Sequence, residues 1–129
     1  MSVDGYFSAN YRAARARFLA AGRESGAAVE SRQNPECGPG GEALFTDLAW
    51  LGPPAAERVL VTLSATHGVE GFCGSGVQTG WLESGLYREL PSGVALLQIH
   101  AINPYGFAWL RRVRRLGPMA PVDRFGGRG

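Results

Sequence analysis

Two short runs, Val59–Leu63 and Val94–Ile99, are apolar with almost no alternation. A strand with one wet face alternates, so such runs are expected where both faces of a sheet are covered. Between them lies a glycine-rich bend and then a helix-length segment, Ser75–Leu90, closed by Pro91-Ser92-Gly93. Strand, helix, strand over about forty residues reads as one right-handed βαβ unit with parallel strands. The rest of the chain has to pack around that unit. Asp4 to about Gly22 reads as a helix, with Phe7, Tyr11, Ala14 and Phe18 as its apolar stripe. Ala27–Arg32 and Leu44–Leu51 read as strands, with the turn-rich segment Asn34–Gly41 between them. Val77, Trp81, Leu82 and Leu86 are the expected buried face of the second helix. The fold class is therefore α/β.

At 129 residues the chain suffices for one modest core. It has no apolar run of the roughly 20 residues a membrane helix needs. It also lacks a basic-then-apolar leader. Two cysteines do not make a disulfide framework, so a cytoplasmic, reducing location is expected. The net charge of +2 is unevenly spread. All thirteen basic residues are Arg, and six of them lie in Arg111–Gly129 against one acid, Asp123. Residues 1–110 hold seven Arg and ten acids, a net of −3. The basic end is read as an unstructured tail of Arg, Gly and Pro, and no nucleic-acid or membrane partner is expected.

The chemistry concentrates in Ser64–Gly76, SATHGVEGFCGSG, at the carboxyl end of the first apolar strand, where α/β sheets collect their ligands. His67 and Glu70 stand at i, i+3, and Gly68 and Gly71 permit positive φ or close backbone approach. An imidazole nitrogen and a carboxylate oxygen suit Zn²⁺. The same residues also suit plainer roles, a histidine closing a strand and a glutamate at the start of the next helix. Cys73 invites comparison with a nucleophile on a strand-to-helix turn, but it lies seven residues past Thr66, too far for that motif. Gly71, Gly74 and Gly76 do not fall in the order of a dinucleotide fingerprint. His100 ends the second strand, on the same sheet edge as His67 if the strands are parallel. It is read as a strand-end histidine bonded within the Asn103 turn, with a third-ligand role as the lesser reading.

SATHGVEGFCGSGVQTGWL together with LLQIHAINPYGFAWLRRV resembles the M14-type zinc carboxypeptidases, most closely their DUF2817 branch. The resemblance covers about Met1 to Val113. It rests on His67-Gly68-Val69-Glu70-Gly71, similar to the family's His-x-x-Glu metal pair, and on Asn103-Pro104-Tyr105-Gly106, similar to its Asn-Pro-x-Gly turn. It implies a three-layer α/β/α zinc-exopeptidase-like mixed sheet, of which this is the N-terminal half. It also implies one Zn²⁺ on His67 and Glu70, and hydrolysis of a peptide or small amide by a metal-activated water. Arg112 matches a substrate-binding arginine that helps polarise the carbonyl. The family's later zinc-ligating His and its catalytic Glu have no counterpart here. No catalytic residue is therefore assigned, and any zinc should be weakly held. The abrupt change to Arg, Gly and Pro after Val113 reads as a truncated or frameshifted continuation, with residues 114–129 outside the domain. Two expectations follow: an impaired zinc hydrolase, or a catalytically inactive fragment or interaction module. In either, the unpaired apolar edge of the sheet is a route to self-association, and Trp81, Tyr105, Phe107 and Trp109 are expected to be partly uncovered.

Overall fold

The computed structural model describes residues 2–112. The expected tail, 114–129, lies outside them. The elements form a mixed α/β fold on a four-stranded sheet, with α1 and α2 packed against the same face of it. Helix α1 is Tyr11–Glu24, α2 is Gly71–Glu83 and α3 is Pro104–Ala108; the strands are β1 Ala28–Cys37, β2 Ala43–Leu51, β3 Arg58–Leu63 and β4 Val94–His100. The spatial order is β1-β2-β4-β3. β3 and β4 are parallel and joined through α2, as the βαβ reading requires. β4 is antiparallel to β2, and β2 to β1.

The first helix starts later than its apolar spacing suggests. Val3–Tyr6 is a separate 3₁₀ turn, Phe7 is extended, and Asn10 caps α1 by accepting a hydrogen bond from Ala13 N (2.8 Å). A cap side chain competes with continued helix, which places the break there. Tyr11, Ala14 and Phe18 are buried as expected. Phe7 instead lies over α2, where a side chain on Gly76 would collide with its ring. β1 runs on through Asn34–Cys37, which the sequence marks as loop, with an irregularity in its register there.

Two further expectations about burial are corrected. α2 stops at Glu83, and Gly85 takes a left-handed conformation (φ 76°). Its inward face is polar and small: Ser75, Gln78 and Thr79 are buried beside Leu82, while Val77 and Leu86 are 54% and 52% exposed. Gln78 Nε2 donates to Thr62 Oγ1 (3.1 Å) and to Ile99 O (3.1 Å), so polar bonds between helix and sheet choose the face. β3 is not covered on both faces. Among the described residues it is the edge strand, and Val59, Leu60, Val61 and Leu63 are 39%, 39%, 48% and 53% exposed. Among the described residues, the continuous apolar run therefore marks an edge strand with exposed side chains. Tyr105 and Phe107 are buried, contrary to expectation, and Trp81 and Trp109 are half-buried.

The core has two parts. One gathers Phe18, Leu19, Ala21, Ala49 and Leu82 between the helices and the sheet. The other gathers Tyr11, Ala14, Leu44, Ala65, Ala101, Tyr105 and Phe107 around α3. Phe107 meets Tyr11 and Phe72 edge-on, with ring centroids 5.5 and 4.9 Å apart.

Candidate functional site

The bend after β3 is held by its own backbone. Ser64 N donates to Ile99 O (3.1 Å), and Ser64 Oγ accepts from Ala101 N (3.0 Å). Ser64 O and Ala65 O accept from Ile102 N and Asn103 N (3.0 Å each). The turns that follow the two parallel strands are thus bonded to each other. Ala65 and Ala101, one in each turn, adopt left-handed φ of 56° and 60°. A non-glycine residue is seldom held there without surrounding constraint. Asn103 Oδ1 accepts from Gly106 N (3.0 Å), and Pro104 occupies the first helical position, so the Asn-Pro-Tyr-Gly stretch is the capped start of α3.

The bend reaches the end of the described chain as well. Gly68 N donates to Arg111 O (3.0 Å), and His67 Nδ1 lies 3.3 Å from Arg112 O. A carbonyl oxygen only accepts, so that contact places the imidazole proton on Nδ1 and leaves Nε2 as the acceptor nitrogen, with no hydrogen bond to it among the described residues. His67 is half-buried and Glu70 is exposed. Glu70 stands at the position before α2, but its carboxylate makes no capping bond, so the plainer capping role is not formed. Neither Gly68 nor Gly71 has positive φ. Their requirement is room: a side chain on Gly68 would collide with the backbone oxygens of Gly106 and Arg111, and one on Gly71 with the Phe107 ring and Ala65. Arg112 is brought to His67 by its carbonyl, and the residue is exposed.

His100 is not at this site. It is fully buried, stacked on Phe18 at 4.6 Å, with Nε2 2.8 Å from Ser75 Oγ. It bonds to α2 rather than within the Asn103 turn. Burial pushes its pKa down from 6.5 to about 4; Asp47 raises it and Arg15 lowers it by smaller amounts. Ser75, His100 and Asp47 invite comparison with a catalytic triad, but among the described residues Nδ1 has no hydrogen-bond partner and all three side chains are buried. Asp47 is instead clamped by Arg15 Nε (2.8 Å), Arg15 Nη2 (3.1 Å) and Ser31 Oγ. Sequence reasoning missed this buried ion pair; the signal for it is a lone acid inside the apolar run Leu44–Leu51. Cys73 is exposed in the first turn of α2. Among the described residues no three His, Cys, Asp or Glu side chains gather where they could hold a metal. A cleft of about 510 Å³ lies elsewhere, lined by Tyr11, Arg12, Arg15, Leu19, Arg23 and Glu42 among others.

A family described as "Protein of unknown function (DUF2817)" matches residues 7–115. The chain belongs to the DUF2817 family. That match takes in the bend, the Asn103 turn and Arg112, so the site described above lies wholly inside the DUF2817 region. No curated protein matches this DUF2817 chain. Two solved structures of Porphyromonas gingivalis glutaminyl cyclase are similar to it. One is 22% identical with a TM-score of 0.47, covering 79% of this chain and 42% of that one. The other is 19% identical with a TM-score of 0.48, covering 79% and 44%. The DUF2817 chain spans less than half the length of these structures.

Proposed function

We propose that this DUF2817 chain carries part of a zinc-dependent peptide or amide hydrolase centre, with His67 and Glu70 as a metal-binding pair and Arg112 facing the substrate. The observation that carries the reading is the contact between His67 Nδ1 and the Arg112 carbonyl. Metal-ligating imidazoles are typically oriented in this way, one nitrogen tied to a carbonyl or carboxylate and the other turned to the ion. The uncommitted Glu70 carboxylate supplies a second donor of the right kind. The resemblance of His67-Gly68-Val69-Glu70 to the metal pair of M14-type carboxypeptidases agrees with both. In such a centre zinc acidifies a water and polarises the scissile carbonyl. What this chain contributes is the oriented imidazole, the carboxylate and the Arg112 guanidinium, which would help polarise the substrate carbonyl.

The pair would supply two donors to a zinc site, and no cluster of three donors is found among the described residues. That single fact favours a second reading, a binding or interaction module without turnover. Equilibrium dialysis with zinc, followed by elemental analysis, tests the metal assignment. Wild type is expected to bind one ion weakly, and His67→Ala and Glu70→Gln each to reduce the affinity at least about tenfold. Equal binding by all three would remove the assignment. Chelator-sensitive cleavage of a peptide or amide library then separates a hydrolase from a module.

A further inference from the structure

We propose that the β3 edge is an interface at which a second copy of this chain adds its own β3, antiparallel, to make one continuous eight-stranded sheet. β3 ends the order β1-β2-β4-β3, so among the described residues its outer side has no strand beside it. Four of its six residues are apolar and more than a third exposed. The side chains alternate about the sheet. Thr62 meets Gln78 on the α2 side, so Val59, Val61 and Leu63 stand on the other. The register sets Val61 beside Leu97 and then Trp50, and Leu63 beside Ile99 and then Leu48. All four neighbours are only half-buried. This apolar grid runs to the β3 edge and stops there.

The opposite edge is built differently. β1 carries Glu30, Arg32, Pro35 and Glu36 and a break in register between Asn34 and Cys37. Charges, proline and bulges are the usual guards against unwanted strand pairing. β3 has none of them apart from Arg58 at its first position. The strand is also complementary to itself, as a two-fold contact requires. With the axis through Val61, that residue meets its own copy, Val59 meets Leu63 of the second copy, and Leu60 meets Thr62. Arg58 then falls opposite Ser64, and no like charges oppose.

One strand pair is a small interface, so association is expected at high concentration. Sedimentation of the full chain from 10 µM to 1 mM, in the concentration range where such weak contacts form, should shift the mass from 13.8 kDa to twice that value. Val61→Lys sets two ammonium groups against each other at the axis and should weaken the dimer at least about tenfold. Val77→Lys, at an equally open apolar position on α2, should leave it unchanged. Hydrogen exchange of the wild type should show Val59–Leu63 amides slowing as concentration rises, a reading that stands even if Val61→Lys fails to fold. A monomer throughout the range, growth past the dimer, protection at β1 in place of β3, or equal dimerisation of the two lysine variants would each overturn the interface.

Discussion

His100 is neutral in the folded protein because burial holds its pKa at about 4, while the unfolded chain titrates near 6.5. The unfolded state therefore binds the extra proton first. The stability that depends on the neutral imidazole is full above pH 6.5 and is lost as pH falls toward 4. Each pH unit in that window costs about 1.4 kcal/mol, so urea melts at pH 7 and pH 5 should differ by about 2 kcal/mol. The difference should largely vanish in His100→Gln. Gly68 is the other position where one atom decides. Gly68→Ala drives a methyl into the backbone of Gly106 and Arg111, and should cost about 2 kcal/mol in the same assay. Buried Asp47 depends on Arg15 in a different way. Arg15→Met leaves a carboxylate without its cation and should destabilise by about 3 kcal/mol, whereas Arg15→Met with Asp47→Leu should regain most of that.

Asn10 fixes where α1 begins, and Asn10→Ala should cost about 1 kcal/mol without changing the helix otherwise, as read by thermal melts and circular dichroism. The sequence pattern conveyed helices and strands better than their ends or their faces. Val94–Ile99 and Leu44–Leu51 were legible because packing rewards their composition directly. The break at Asn10 was not, since the apolar spacing from Phe7 to Phe18 continues through it while a single side-chain bond interrupts the backbone. The inward face of α2 was hidden for a related reason. Gln78 outcompetes Val77 for the sheet through bonds to Thr62 and Ile99, and only three-dimensional neighbours reveal that those acceptors exist. In the candidate site, His67 and Glu70 stand out by spacing and position. The tie from His67 to Arg112 spans forty-five residues, and no local pattern encodes it.

On the scale of the whole molecule, a metal that binds only the folded state adds its binding free energy to the fold. Zinc at ten times its dissociation constant should stabilise wild type by about 1.4 kcal/mol, visible as a higher melting temperature that His67→Ala abolishes. The βαβ unit, the guarded β1 edge and the bare β3 edge divide the labour of the domain. One side is finished against solvent, while the other still presents pairing chemistry. The backbone stitches from Gly68 and His67 to Arg111 and Arg112 have a practical corollary for anyone purifying this protein. The last described residues are bonded to the bend at the candidate metal-binding imidazole itself. An oligohistidine handle appended after Gly129 would be tethered only seventeen residues downstream of that knot. Its imidazoles would compete for the ion from within the same molecule. Metal titrations should use a handle at the opposite terminus, cleaved before measurement.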